Sequence, residues 1–151
     1  MRFVSRRNTL ALAAGAALAA VWRAGDPLCA DADEAAAEIA KFTGGKSPEA
    51  GKISIELPEI AENGNTVPLA IAVDHPMTAD VYVTVILVVA AANPRPRVVT
   101  FHLTPMSGRA EAATRIRLAA TQNVVVLAKT SDGRIYSDQK EVKITIGGCG
   151  G

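Results

Sequence analysis

Aromatic residues and net charge are both scarce in this sequence. Phe, Trp and Tyr make up 4% of its 151 residues, and the formal net charge at pH 7 is +1. A platform that stacks bases or sugars needs more aromatic rings, and a nucleic-acid binder usually carries a basic field, so neither class is favoured. The length fits one ordinary domain and excludes a multidomain enzyme. A hydrophobic share of 49% excludes a wholly disordered chain.

No hydrophobic run near the amino terminus is long enough to cross a membrane. The apolar run at 10–21 is shorter than the roughly 20 residues that a membrane span needs. Arg6 and Arg7 precede this run, and the small residues Ala30 and Ala32 follow it. A basic start, a short apolar run and an A-x-A site are typical of a secretory signal, and the arginine pair indicates the twin-arginine pathway. We therefore expect residues 1–32 to be a signal peptide and the protein to be periplasmic; the alternative is an uncleaved amphipathic helix.

Cysteine is scarce too, since the chain contains Cys29 and Cys149 and no other cysteine. An even count on its own invites an intrachain disulfide. Cleavage after Ala30 or after Ala32 would remove Cys29, however. The sequence therefore predicts that the mature chain keeps Cys149 as its one thiol.

Hydrophobic and polar residues alternate through most of the chain after residue 51. This period of two predicts strands at 52–57, 66–73, 80–91, 98–103, 111–118, 123–130, 134–136 and 141–146. A short helix is predicted over Asp33–Thr43, because acidic residues lie at its start and Lys41 lies near its end. Short strands with turns such as Ser131–Gly133 between them predict an all-β fold. We expect an immunoglobulin-like antiparallel β-sandwich over residues 33–146, with a short N-terminal helix and a flexible C-terminal arm.

One predicted strand is unusual because its stretch Val85–Val89 is apolar on both faces. A strand in an antiparallel sheet usually has one face toward solvent. The pattern therefore predicts a central strand, or one whose second face is covered by a partner subunit.

The last five residues are Gly147, Gly148, Cys149, Gly150 and Gly151. Glycine lacks a Cβ and visits most of backbone space, so this segment is predicted to be a thin, mobile arm. Five extended residues reach roughly 16 Å, which suits a thiol that enters another protein's narrow active site. A free thiol has a pKa of about 8.5, and no His, Lys or Arg adjoins Cys149 in sequence to activate it. These features favour a carrier over an enzyme; the alternatives are a disulfide-linked structural module or an inert cysteine.

Two further functions have partial support in the sequence. The pairs His75 with Met77 and His102 with Met106 offer ligands for a periplasmic copper protein. Gly150 and Gly151 superficially match the ubiquitin-like carriers that form a C-terminal thiocarboxylate, but those act in the cytoplasm, against the predicted signal. No metal or cofactor site is expected under the carrier hypothesis.

A loosely basic middle of the chain has two interpretations. It consists of Arg95, Arg97, Arg109, Arg115 and Arg117. These arginines are either a solvated strand face or a surface that guides anionic, thiosulfate-loaded arms or docks a partner.

The predicted twin-arginine signal, the small β-rich body and the segment Gly147–Gly151 together resemble the Y subunits of the SoxYZ sulfur carrier of bacterial thiosulfate oxidation. The resemblance implies a heterodimer with the Z subunit in the periplasm. It implies Cys149 as the covalent attachment site for sulfur, with Gly147, Gly148, Gly150 and Gly151 as its arm. It also implies three partners: a c-type cytochrome pair that loads thiosulfate, a manganese-dependent hydrolase that releases sulfate, and, where present, a molybdenum–haem sulfur dehydrogenase.

Overall fold

The computed structural model describes residues 27–146, with side chains from residue 33 onward. The predicted signal peptide up to residue 26, and the predicted arm with Cys149, lie outside the described residues. The described part contains one α-helix, one short 3-10 helix at Pro105–Ser107 and eight strands. The long helix and the strands are α1 Pro27–Thr43, β1 Ile53–Glu56, β2 Ile60–Ala61, β3 Val67–Val73, β4 Val83–Ala90, β5 Arg97–His102, β6 Glu111–Ile116, β7 Gln122–Thr130 and β8 Ile135–Ile144.

The strands form two sheets that pack face to face, which confirms the predicted β-sandwich. One sheet has three strands in the order β1-β3-β6, and the other has five in the order β2-β8-β7-β4-β5. All pairs are antiparallel except β2 with β8, which run parallel. Within the described residues, no helix is long and apolar enough to cross a membrane.

The core between the sheets follows directly from the alternation in the sequence. In β3 the side chains of Val67, Leu69 and Ile71 are at most 2% exposed, whereas the residues between them face outward. They pack against the inward-facing side chains of the other sheet, among them Ile86 and Val126. Successive side chains of a strand point to opposite faces, so one apolar residue in two is enough to build this core.

Strand β4 is buried on both faces without any partner subunit. Ile86 and Val88 face the core between the sheets, and Leu87 and Val89 face outward against α1. The helix covers this outer face with Ala35, Ile39 and Phe42, which recur at helical spacing. Burying a side chain of this size stabilises the fold by about 1.5–3 kcal/mol. The interpretation that a partner covers Val85–Val89 is therefore wrong for Leu87 and Val89, because the chain's own helix does so.

Strand β8 is continuous, although the sequence predicts two strands, at 134–136 and 141–146. Its middle is polar, with Ser137, Asp138 and Gln139 in succession, so the hydrophobic pattern breaks there. The backbone pairing with β7 carries on through this stretch, because hydrogen bonding in a sheet does not depend on side-chain polarity. The predicted turn before β8 is present: Gly133 has a φ of 84°, a backbone conformation that favours glycine.

Candidate functional site

The end of β8 is held in place by the two-residue strand β2. Ile60 and Ala61 pair with Lys143 and Ile144 in parallel. Two further backbone hydrogen bonds continue past the strand: Thr145 N–H donates to the carbonyl of Ala61 at 3.2 Å, and Gly64 N–H donates to the carbonyl of Ile146 at 3.0 Å. The chain is thus anchored up to Ile146, three residues before Cys149.

Thr121 secures the other side of β8, where the pairing with β7 has ended. Its hydroxyl Oγ1 accepts a hydrogen bond from Ile144 N–H at 2.9 Å. The last regular pair between these strands is Gln122 with Val142, so Thr121 continues the ladder with a side chain. Ile144 is therefore held from both edges of β8.

Asn93 and Gln122 join the loops that surround this point. The Asn93 amide donates to the carbonyl of Arg117 at 2.8 Å, and its Oδ1 accepts from Ala119 N–H at 2.9 Å and from Gln122 Nε2 at 3.0 Å. The Gln122 side chain, 8% exposed, accepts from Ala92 N–H through Oε1 at 2.8 Å. The buried amide of Gln122 would cost free energy if its donors and acceptors were unused, and together with the half-buried Asn93 it binds two loops together.

One more hydrogen bond connects these loops to the anchor of Ile146. Leu118 N–H donates to the carbonyl of Gly64 at 2.8 Å, and Gly64 is the residue that binds Ile146. The segments 59–66, 91–96, 115–121 and 143–146 therefore form one hydrogen-bonded end of the sandwich. We call it the arm end, because the predicted arm follows from it. The far end consists of the segments 44–52, 74–82, 103–110 and 131–134.

The far end contains a polar cleft of about 600 Å³, in which four charged side chains form two ion pairs and Asp80 is a further carboxylate. Lys52 Nζ lies 2.9 Å from Asp74 Oδ2, and Arg134 Nε lies 3.2 Å from Asp132 Oδ2. The hydrogen bond from Lys52 holds the pKa of the Asp74 carboxyl below its ordinary value, and the Thr130 hydroxyl does the same for the pKa of Asp132. With Asp80 included, two cations and three carboxylates line this cleft.

The His-Met pairs proposed for copper also lie at or near the far end. His75 Nδ1 lies 2.9 Å from the carbonyl of Pro76, and its ring lies 5.9 Å from that of Tyr136. Met77 packs against the core and accepts a hydrogen bond from Val83 N–H, whereas Met106 is 96% exposed. Among the described residues, no group of three or more His, Cys, Asp or Glu side chains could hold a metal ion. These contacts give the copper hypothesis no support.

The five arginines of the basic middle do not share one surface. Arg97 contacts Glu38 of α1 at 3.1 Å, and Arg109 lies 3.5 Å from Glu111. The remaining ones, Arg95, Arg115 and Arg117, are exposed at the arm end. Sequence reasoning could not sort them, because the three arm-end residues come from two loops and a strand end that meet only in the fold.

Comparison with known proteins agrees with this architecture. The model of the family described as "Sulfur oxidation protein SoxY" matches residues 39–149. The chain belongs to the SoxY family. The matched span begins inside α1, contains all eight strands and reaches Cys149.

A solved SoxY structure supports the same assignment. The sulfur carrier protein SoxY from Chlorobium limicola f. thiosulfatophilum is 34% identical, with a TM-score of 0.63, over 76% of this chain and 99% of that one. The resemblance to SoxY noted in the sequence is thereby confirmed. No curated protein sequence matches the chain.

The sandwich itself is shared more widely. A superoxide reductase (neelaredoxin) from Ignicoccus hospitalis is 16% identical, with a TM-score of 0.56, over 62% of this chain and 80% of that one. A second one, described as a putative superoxide reductase from Thermotoga maritima, is also 16% identical, with a TM-score of 0.53, over 68% of this chain and 89% of that one. At this identity the likeness shows the fold alone.

Proposed function

We propose that this SoxY-family chain is a sulfur carrier of periplasmic thiosulfate oxidation and not an enzyme. It holds sulfur intermediates covalently on Cys149 and presents them to partner enzymes. The observation that carries the proposal is the family match, which extends through the sandwich to Cys149 itself. The anchoring of Ile146 supports it, because a carrier needs a fixed point from which its attachment site extends.

The chemistry requires only a thiol from this chain. In the loading step the outer sulfur of thiosulfate bonds to Sγ of Cys149, the thiol proton leaves, and two electrons pass to the c-type cytochrome partner. In the next step water attacks the sulfonate sulfur at the manganese-dependent hydrolase, sulfate and a proton leave, and a persulfide remains on Cys149. A sulfur dehydrogenase, where the host has one, oxidises that persulfide sulfur.

The four glycines around Cys149 give the arm its narrow profile in this proposal. A residue without a Cβ occupies little more than the width of the backbone, so Gly147, Gly148, Gly150 and Gly151 let the thiol enter a tight channel. The Z subunit completes the carrier as a heterodimer. Its binding surface is not needed to cover Leu87 or Val89, which α1 already buries.

The predicted export signal is compatible with the fold. Cleavage after Ala32 would leave Ala35, Ile39 and Phe42 in the mature chain, and these are the helix residues that cover β4. The mature sandwich therefore keeps its outer layer, and residues 1–32 act as the twin-arginine signal through Arg6 and Arg7.

Mass spectrometry of the protein isolated from cells growing on thiosulfate tests the carrier role. We expect adducts of sulfur and of thiosulfonate on the peptide that contains Cys149, and none on the Cys149→Ser variant. We also expect that variant to fold normally but to abolish thiosulfate-dependent respiration. An unmodified Cys149 during active thiosulfate oxidation, or full respiration in the variant, would refute the proposal.

A further inference from the structure

The arginines of the described part of the chain fall into two equal groups. Arg97, Arg109 and Arg134 each lie within 3.5 Å of a carboxylate oxygen. No carboxylate among the described residues lies within ion-pairing distance of the others, which are Arg95, Arg115 and Arg117. All three of these belong to the arm end.

Two of these arginines lie close to the point from which the predicted arm leaves. Arg117 precedes Leu118, which is connected to Ile146 through two hydrogen bonds that share Gly64. Arg115 donates through Nη1 to Thr66 Oγ1 at 3.4 Å, two residues beyond Gly64. Arg95 lies in the loop that Asn93 ties to the Arg117 carbonyl.

The two ends of the sandwich differ in their numbers of positive and negative side chains. The far end contains equal numbers of basic side chains and carboxylates: Lys46, Lys52, Arg109, Arg134, Glu49, Asp74, Asp80 and Asp132. The arm end contains an excess of cations, with Arg95, Arg115, Arg117 and Lys143 against Glu59 and Glu62. The acidic Asp33 and Glu34 lie in the first half of α1, which packs on the outer side of the five-stranded sheet, whereas Arg115 lies in β6 of the three-stranded sheet and Arg117 follows that strand. The segments of the arm end therefore carry a net positive charge, and the field that their side chains produce is positive.

Covalent geometry keeps Cys149 within range of this field. Three peptide units separate it from Ile146, which limits the distance between their Cα atoms to about 11 Å at full extension. The Debye length at physiological salt is about 8 Å, so exposed charges act over a comparable distance. A charged group on Cys149 therefore interacts with the arm-end arginines when it comes within about this distance of them.

We propose that Arg95, Arg115 and Arg117 form a sulfur-oxyanion site beside the arm. It concentrates thiosulfate near the Cys149 thiol and then attracts the sulfonate group of the loaded arm. Guanidinium groups suit this role, because they stay charged and their N–H forks match the oxygens of tetrahedral and planar oxyanions. This inference rests on the proposed carrier function, but its test below does not require sulfur loading.

Alkylation of Cys149 by two reagents that differ in charge tests the site. Iodoacetate is an anion and iodoacetamide is neutral, while both transfer a group of similar size to the same thiolate. The ratio of their rates therefore cancels differences in thiolate fraction and in access. The rates are read by mass spectrometry on the peptide that contains Cys149, in the full chain. We expect the iodoacetate-to-iodoacetamide ratio at low salt to be about three- to tenfold higher in the wild type than in Arg115→Gln/Arg117→Gln.

Matched variants separate this effect from general charge and from folding. Arg109→Gln/Arg134→Gln removes the same charge at the far end and should keep the wild-type ratio. Arg115→Lys/Arg117→Lys should retain most of the wild-type rate ratio, and high salt should make the ratios of all variants equal. Equal ratios in the arm-end and far-end variants would overturn the proposal. A charge effect without any thiosulfate adduct in cells would instead leave the anion site standing and refute the carrier function.

Discussion

Asn93 is the side chain on which the arm end most depends. It makes three hydrogen bonds, with Arg117, Ala119 and Gln122, and so joins two loops that are far apart in sequence. Replacing it with alanine would remove the hydrogen-bond acceptor of the partly buried Ala119 N–H and one of the two acceptors of Gln122 Nε2, which keeps its bond to the Ala120 carbonyl at 3.2 Å. An unsatisfied buried polar group costs about 1–3 kcal/mol.

We therefore predict that Asn93→Ala lowers the free energy of unfolding by about 1–3 kcal/mol, measured by urea denaturation. Asn63→Ala is the control, because Asn63 is exposed and accepts one local hydrogen bond from Asn65 N–H. We expect that control to change stability by less than about 0.5 kcal/mol. Similar losses in the two variants would show that the loops are held by other contacts.

Asp132 gives the far end a predictable response to acid. The Thr130 hydroxyl, and after it the backbone and guanidinium of Arg134, hold the pKa of this carboxyl below its ordinary value. Its contribution to stability is therefore complete above the unfolded pKa of about 3.9 and is lost as the pH falls through the lower folded value.

The expected outcome is that the Tm of the wild type falls as the pH drops below about 4, and that Asp132→Asn shows a shallower fall over the same range. Asp80→Asn is the comparison, since the Asp80 carboxylate makes no hydrogen bond among the described residues, and it should follow the wild-type curve. If Asp132→Asn and the wild type lost Tm in parallel, the carboxylate would have no part in the acid response.

At the scale of the elements, α1 covers the outer face of the five-stranded sheet. Ile39 packs against the cluster that contains Leu87, Val89 and Leu127. A lysine at this position would place a charge against that apolar face, which opposes docking of the helix. Exposed apolar sheet surface would then promote association between molecules.

We predict that Ile39→Lys destabilises the protein by about 1–3 kcal/mol and increases both dye binding and sedimentation as aggregates. Ala36→Lys, on the exposed side of the same helix, adds the same charge and should leave both properties unchanged. A stable, monomeric Ile39→Lys variant would mean that α1 is not needed to cover β4.

The elements also show which parts of the fold the sequence can specify. Strand β3 is predictable because Val67, Leu69 and Ile71 alternate with outward-facing residues. Strand β2 is not, because two residues define no period and their pairing with β8 depends on where the chain returns more than 80 residues later. The covering of β4 by α1 is not predictable for a similar reason, because an apolar strand face indicates that something covers it but does not identify the covering element.

The candidate site likewise has one part that the sequence predicts and one part that it does not. Cys149 and its glycines are predicted from local sequence, and they stay a prediction. The arm end cannot be predicted from local sequence, because Asn93, Gly64 and Leu118 acquire their roles only when three loops meet.

At the scale of the whole molecule, the proposed function divides the chain into a sandwich that is anchored up to Ile146 and a predicted carrier segment at 147–151. Stability comes from the sheets and from α1, whereas delivery of sulfur depends on residues 147–151 in the proposed function. A side chain added to that segment should therefore affect delivery without affecting unfolding. Valine is the sharpest choice, because its branched Cβ is both wide and stiff.

We predict that Gly148→Val slows loading of sulfur from thiosulfate by the cytochrome partner by at least about tenfold, with an unchanged free energy of unfolding. Ala120→Val adds similar bulk to an exposed loop of the arm end and controls for bulk outside the segment. It should load at the wild-type rate. Gly148→Ala, which adds a single methyl group, should fall between the two. If Gly148→Val loaded as fast as Ala120→Val, width would not limit entry, and the glycines on either side of Cys149 would need another explanation.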